Sequence, residues 1–267
     1  MSAMTEPAIT FSDGESYEYG MGVYSRLVGT VFLNWLAPPP GLRWIDVGCG
    51  NGAFTELLCQ RVAPAEVQAV DPSEGQLAFA RVRAGAAGAL FHQADAMALP
   101  FEAARFDAAV MALVLFFVPD PARGIAEMMR VVRPGGLVSA YVWDVPRGTA
   151  PTSLIRRALT ENGIKSPAPP SAAVSAMPAL TAAFSEAGLV SLETREIAVE
   201  RSFPDFEAYW QASLMTGGLG ERIATLPASV VDDVRAHTRA HLRIGPDGAV
   251  IATGIANALK GVRPLDG

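Results

Sequence analysis

Trp44-Ile45-Asp46-Val47-Gly48-Cys49-Gly50-Asn51-Gly52 sets a carboxylate near the end of a short apolar run and follows it with glycines at alternate positions. A strand that runs into such a turn, and then into a helix, lets backbone N–H groups approach a ligand closely at a helix N-terminus. The turn alone leaves the ligand open, because Gly48, Gly50 and Ala53 also satisfy the loose dinucleotide pattern G-x-G-x-x-G/A. Asp46 discriminates between ligands. A carboxylate at the strand end repels a pyrophosphate and attracts a ligand carrying an ammonium and a sulfonium. The sign of the charge favours S-adenosylmethionine.

Two further acids follow the same pattern. Ala69-Val70-Asp71-Pro72-Ser73 brings a carboxylate to the end of a second apolar run. It falls ~20 residues after the first glycine, where an acid accepts both hydroxyls of a ribose. Gln93-Ala94-Asp95-Ala96-Met97 ends a third run in the same way. Ligands of open parallel sheets bind along the carboxyl edge of the strands, and Asp46, Asp71 and Asp95 all fall on that edge if the three runs are strands.

The surrounding sequence supplies the elements that would hold them. Apolar runs at RWIDV, EVQAVD, ALFHQAD, FDAAVMALV and GGLVSAYVW alternate with helical patterns over Phe54–Val62, Gln76–Ala84 and Ala122–Val132. Strand and helix in alternation predict a doubly wound, mostly parallel sheet. Ser16–Leu36 has helical spacing and is stopped by Pro38-Pro39-Pro40-Gly41. After Trp143 the chain turns rich in Pro, Ala and Ser as far as Pro178, with one short helical pattern at Leu154–Leu159, and we expect an irregular cap there. A helix at Ala179–Ala187, strands at Leu189–Phe203 and Gly248–Val262, and helical patterns between those strands complete the reading. The expected divisions are an N-terminal helical segment over 1–40, a core over 41–145, and cap helices with the last two sheet strands over 146–267.

The motifs WIDVGCGNG, AVDPS, QADAMALPF, FDAAVMALVLFFVPDP and RVVRPGG, spread over Arg43–Val142, resemble the successive motifs of class I S-adenosylmethionine-dependent methyltransferases. Within that superfamily the chain is most similar to the type 11 group, which resembles the bacterial quinone-biosynthesis C-methyltransferases. The resemblance implies a Rossmann-like α/β fold, a seven-stranded sheet with one antiparallel strand, and a helical cap. It implies S-adenosylmethionine as methyl donor and S-adenosylhomocysteine as product. By the same resemblance Asp46, Gly48 and Gly50 face the methionine part, Asp71 the ribose, and Asp95 with Ala96 and Met97 the adenine. Ala112 and Leu113 line the sulfonium side, and Cys49, Pro72 and Gln76 complete the cofactor set. Tyr19 and Met21, with Tyr17 and Tyr24, cover the cofactor from the N-terminal segment, as the corresponding region does in similar proteins; ordinary helix packing is the competing explanation.

Methyl transfer from a sulfonium is a direct displacement with a good leaving group, so holding the acceptor in line supplies much of the acceleration and no catalytic side chain need stand out. Should a base be required, His92 and Asp144 are the candidates. Asp144 is the better placed, just after Trp143 at the end of the fifth strand; His92 lies inside a strand, where a structural role competes. His237 and His241 have the four-residue spacing of a two-histidine metal site, but no glutamate follows His237 and no third ligand is evident. A solvated helix face accounts for them, and no metal is expected. Trp143, Phe206, Tyr209 and Trp210 are candidates for an apolar acceptor pocket.

Bulk properties narrow the partners. With 21 Lys and Arg against 27 Asp and Glu, a net charge of -6 and no basic run, the 267-residue chain lacks the electrostatic footprint of a nucleic-acid binder. Neither cysteine follows a proline, and no Asn or Asp precedes a Pro-Pro-aromatic run, so two nucleic-acid methylation signatures are missing as well. The longest apolar stretch, Ala108–Pro119, falls short of the ~20 residues of a membrane span. No secretory signal is visible at the N-terminus, and the cytoplasm is the expected compartment. Cys49 and Cys59, ~15 Å apart on a helical path, are expected to be free thiols. The expected protein is a monomer or homodimer that methylates a small apolar or aromatic acceptor. A nicotinamide-dependent oxidoreductase and a non-catalytic S-adenosylmethionine-binding protein are the alternatives.

Overall fold

Five apolar runs become strands β1 (Arg43–Val47), β2 (Glu66–Asp71), β3 (Ala89–Gln93), β4 (Phe106–Ala112) and β5 (Val132–Trp143), joined by helical crossovers except between β3 and β4, where residues 94–105 hold no helix. The computed structural model describes residues 18–165 and 168–265. Ser16 and Tyr17 lie outside the described residues. A wide helical turn at Glu18–Gly22 leads into α1 (Val23–Leu36); α2 (Ala53–Arg61), α3 (Glu74–Arg81) and α4 (Pro121–Val131) then separate the strands. Ser73 and Asp120 cap α3 and α4 by accepting the N–H groups of Gln76 and Arg123.

The strand order is β3-β2-β1-β4-β5-β8-β6, where β6 is Val190–Phe203 and β8 is Val250–Val262. The parallel strands diverge from β1, β2 and β3 on one side and β4 on the other, which opens a crevice at the carboxyl ends of β1 and β4. Strand β8 runs antiparallel to both β5 and β6. An eighth strand, β7 (Arg243–Ile244), pairs with β8 at Val250 and Ile251 and was not expected from sequence; two residues carry no readable periodicity.

A second departure concerns the start of β5, read from the run GGLVSAYVW at Gly135 and found at Val132, so that Pro134-Gly135-Gly136 is taken into the strand. These residues lie within β5, where the register against β4 jumps from Phe106↔Val132 to Ala108↔Leu137. Gly135 takes φ +73°, donates its N–H to the Arg263 carbonyl at 2.8 Å, and so turns a helix-stop signal into a bulge tied to the far end of the chain.

Helix α1 covers one face of the sheet through Val28, Phe32 and Leu33, with the Phe32 ring 4.8 Å from Tyr141 and 6.2 Å from Phe54. Each such side chain removed from water contributes ~1.5–3 kcal/mol. The later helices, α5 (Ser153–Glu161), α6 (Met177–Glu186), α7 (Phe206–Leu214), α8 (Leu219–Ala224) and α9 (Ala228–His241), divide between two cores. Leu180 and Phe184 of α6 join the main core. Ile155, Leu159, Tyr209, Trp210, Ile223 and Val234 form a second core with Val250 and Ala252 at the start of β8. This helical layer, inserted largely between β6 and β8, stands over the same carboxyl edge as the crevice. Among the described residues no helix is long and apolar enough to cross a membrane.

Candidate active site

The glycine turn is held open by steric necessity. Gly48 takes φ +78°, its N–H and that of Cys49 both reach the Val70 carbonyl, at 2.7 and 2.9 Å, and a Cβ at Gly48 would overlap Val114 Cγ1. Gly52, at φ +79°, starts α2, where a Cβ would meet Ala80 at 3.0 Å. Asp71 braces the turn from β2: its two oxygens accept the N–H groups of Gly50 and Ser73, each at 2.9 Å. Burial pushes the Asp71 carboxyl up, and these two hydrogen bonds oppose that shift. A carboxylate offers about four acceptor sites, so two remain for a ligand.

Asp46 is fully buried beneath the turn. Its Oδ2 accepts the Thr55 hydroxyl at 2.7 Å, while Oδ1 has no hydrogen-bond partner among the described residues. Burial raises this carboxyl from its ordinary value to about 7. A buried, half-satisfied carboxylate is costly unless a cationic donor completes it.

Both features open on a cavity of about 660 Å³ at the carboxyl edge. Asp46, Gly48, Cys49, Gly50, Asp71, Pro72 and Gln76 line it from the β1 and β2 side. Asp95, Ala96 and Met97 close it beyond β3, where Asp95 Oδ1 accepts the Met97 N–H at 2.8 Å. Ala112 and Leu113 line it from the end of β4. Leu113 sits at φ +62°, its N–H held by the Tyr141 carbonyl at 2.8 Å; a left-handed leucine in a cavity wall is stored strain. Burial pushes the Cys49 thiol up, which makes it wall and not nucleophile. Cys49 and Cys59 are both free.

Other expected residues fall elsewhere. Tyr19 is half exposed beneath the Arg201 guanidinium, and Met21 belongs to a second cavity, so neither covers the first. Their place at the glycine turn is taken by Glu18, which accepts the Asn51 side-chain amide at 3.0 Å and pairs with Arg26 and Arg83. Tyr17 lies outside the described residues. Neither candidate base lines either of these two cavities. His92 bonds to the Gln68 side chain and stands edge-on to Phe101. Asp144 is buried, with Oδ1 accepting the Arg147 N–H at 3.1 Å and Oδ2 the Asn257 side-chain amide at 2.9 Å. Phe206, Tyr209 and Trp210 are buried in the second core and line neither cavity. His237 pairs with Glu161 at 3.0 Å and stacks on His241; no group of three or more potential metal ligands occurs among the described residues.

A second cavity, of about 340 Å³, adjoins the first through the shared side chains Leu113 and Phe117. Met21, Phe116, Trp143 and Ala150 make it apolar; Thr152, Ser153, Arg156, Arg157, Thr160 and Thr216 supply its polar groups. Among the described residues no Asp, Glu or His lines it. Sequence reasoning placed Trp143 at the acceptor, named Met21 and Leu113 on the cofactor side, and missed the rest. The only signal for the arginines was a basic pair on the one helical pattern within the Pro- and Ala-rich stretch. Ser25 and Tyr141, further walls of the first cavity, lie outside the quoted motifs, and Phe117 lies inside one but was not singled out.

Residues 45–140 match a family model described as "Methyltransferase domain". The chain is 37% identical over 123 residues to the demethylmenaquinone methyltransferase of Clavibacter sepedonicus, covering 46% of this chain and 48% of that one. It thus spans about half the length of that curated relative. Among solved structures, a putative methyltransferase from Bacillus halodurans superposes with TM-score 0.58 at 18% identity, covering 88% of this chain and 98% of that one. The phosphoethanolamine N-methyltransferase 2 of Haemonchus contortus, solved with phosphomonomethylethanolamine and S-adenosylhomocysteine, also gives TM-score 0.58, at 17% identity, covering 94% of this chain and 56% of that one. At these identities the likeness establishes the Rossmann-like fold.

Proposed function

We propose, from the premise that residues 45–140 form a methyltransferase domain, that the chain binds S-adenosylmethionine in the larger cavity and transfers its methyl group to a small apolar or aromatic molecule in the smaller one. The observation that carries this reading is Asp46: a fully buried carboxylate with one oxygen unpartnered among the described residues, in the wall of the larger cavity. An α-ammonium supplies the missing donor and charge, whereas a pyrophosphate supplies neither. That contrast also disfavours the nicotinamide alternative. The curated relative's name, a demethylmenaquinone methyltransferase, supports a ring-bearing acceptor.

When bound, the sulfonium supplies an activated methyl group and a neutral leaving group. The protein's own part is positional. Asp46 anchors the ammonium end, Asp71 offers its two remaining acceptor sites to the ribose, and Asp95, Ala96 and Met97 wall the adenine. Leu113 and Phe117 stand where the cavities meet, and exclude water there. Among the described residues the acceptor cavity has no carboxylate or imidazole in its wall, and a wall of that kind suits an acceptor whose atom is already nucleophilic or readily ionised.

Calorimetric titration with S-adenosylhomocysteine, with NADH in parallel, tests the reading. Binding of the first alone is the expected result. Binding of NADH alone would transfer the fold to oxidoreduction. Methylation of any acceptor above background would then remove the non-catalytic alternative.

A further inference from the structure

Four hydroxyls within helices bond back to their own backbone: Thr160, Thr181, Ser213 and Thr238 each donate to the carbonyl four residues earlier, at 2.7–2.9 Å. Ser25, in α1, does not. It is 6% exposed, yet its hydroxyl has no hydrogen-bond partner among the described residues, and it lines the larger cavity. Two anchors put it there. A Cβ at Gly29 would stand 2.9 Å from Phe54 Cδ2 and 3.3 Å from Tyr141 Oη, so glycine lets α1 lie directly on the start of α2. Ser25 is one turn earlier on the same face and points to the same wall, which Phe54 and Tyr141 also line. On the other side, Glu18 accepts the Asn51 side-chain amide at 3.0 Å. The chain from Glu18 to Gly29 therefore crosses the N-terminus of α2, and Ser25 lies within the crossing.

The charges of this cavity leave one end of the cofactor without a counterpart. Asp46, Asp71 and Asp95 line it, and among the described residues no Lys, Arg or His does. With the ammonium on Asp46, the α-carboxylate of S-adenosylmethionine meets a wall without a cation and depends on neutral donors. The Asn51 amide is already given to Glu18, and Ser73 lies with Asp71 at the end of β2, on the ribose side. Ser25 stands at the start of α2, the helix from which Thr55 orients Asp46. Ala53 and Phe54, in the first turn of α2, line the same wall, where a helix N-terminus adds partial positive charge. We propose that the Ser25 hydroxyl donates to the α-carboxylate of the cofactor, so that the N-terminal helix is part of the cofactor site. The assignment rests on the methyltransferase reading and adds to it a contact from outside the motif-bearing core. Ammonium on Asp46 and carboxylate on Ser25 fix the amino-acid end at two points, which sets the direction in which the sulfonium presents its methyl group.

The test is calorimetric and crosses one substitution with three ligands: S-adenosylhomocysteine, its decarboxylated analogue S-adenosylthiopropylamine, and its deaminated analogue adenosylthiobutyrate. Ser25→Ala removes a hydrogen bond to a charged group, so S-adenosylhomocysteine and the deaminated analogue should each bind ~tenfold more weakly. The decarboxylated analogue should change by less than about twofold, since it has nothing for the hydroxyl to meet. Ser25→Thr keeps the hydroxyl and should recover part of the loss. Alanine favours a helix more than serine does, so α1 survives the substitution, and a melting temperature no lower than that of the wild type verifies it. Equal weakening of all three ligands, weakening confined to the two that carry the ammonium, or no weakening of any overturns the proposal and leaves the methyltransferase reading standing. Failure of the wild-type protein to bind S-adenosylhomocysteine overturns that reading and the proposal with it.

Discussion

The Thr55 hydroxyl donates to Asp46 Oδ2 at 2.7 Å and leaves Oδ1 of the same buried carboxylate without a partner among the described residues. One donor from α2 fixes the orientation of the group but does not pay its desolvation, and the carboxyl titrates near 7 in consequence. Asp46 is therefore poised between a protonated form that suits the empty cavity and an ionised form that suits a cationic ligand.

A pH dependence follows, with a definite sign. The folded value, about 7, lies above the ordinary 3.8, so the folded protein binds more protons than the unfolded chain between the two. Stability of the ligand-free protein is fully retained at low pH on this account and is lost as pH rises from near 4 through 7, by an amount on the order of 4 kcal/mol. S-adenosylhomocysteine binding should show the opposite trend. Affinity falls up to ~tenfold for each pH unit below 7, and binding near neutrality releases a proton. Calorimetry in two buffers of different ionisation enthalpy measures that proton. In Asp46→Asn the release and the slope should vanish; a slope that persists in the variant would show that another group carries it.

Asp71 joins the glycine turn to the start of α3 by accepting two backbone N–H groups, and the proposed ribose would use the sites left over. Asp71→Ala removes both braces and the ligand contact. We expect S-adenosylhomocysteine to bind at least ~tenfold more weakly, about 1.5 kcal/mol. An unchanged dissociation constant, measured by calorimetry, would show that the ribose lies elsewhere.

These two acids were legible because each follows an apolar run that can only be a buried strand, and the carboxyl edge of a parallel sheet collects whatever ends its strands. The same logic placed Asp144 on the edge and still misassigned it. Its side chain turns to Asn257, a neighbour brought there by the pairing of β5 with β8 across 113 residues of sequence. The bulge at Gly135 was illegible for the same reason, since its partner is Arg263. The second cavity draws on Met21, Trp143, Arg156 and Thr216, which no local period connects. Motifs disclosed the half of the site made by consecutive strand ends; the half assembled from distant segments needed coordinates.

Gly48 offers a test of the turn that is independent of any ligand. A methyl group there would overlap Val114 Cγ1, and the φ of +78° would place an L-residue in the left-handed region. The conformation alone costs about 1–2 kcal/mol, and the overlap adds to it. Gly48→Ala should therefore lower stability by ~2–4 kcal/mol in denaturant titration. Adding Val114→Ala relieves the overlap but not the backbone strain, so the double variant should recover part of the loss beyond what the two single changes predict by addition. Simple additivity would mean that the two side chains do not compete for the same space.

Asp144→Asn separates a base from a brace. In the structure Asp144 ties the end of β5 to Asn257 of β8 and to the Arg147 N–H, and the Asn257 amide also donates to the Ser175 carbonyl at 2.8 Å. An asparagine can keep one of the two acceptor contacts at Asp144 while presenting an amide N–H to the other donor. The buried pair is then left unsatisfied, at a cost of ~1–3 kcal/mol in stability. Because the carboxylate lines neither cavity, S-adenosylhomocysteine affinity and the pH profile of methyl transfer should be unchanged below the unfolding temperature. A base would behave differently: its removal lowers turnover by ~10²–10⁴-fold and erases one limb of the pH profile, with stability little affected. A melting curve and a pH–rate profile on the same variant distinguish the two, and the brace requires the first to move and the second to stay.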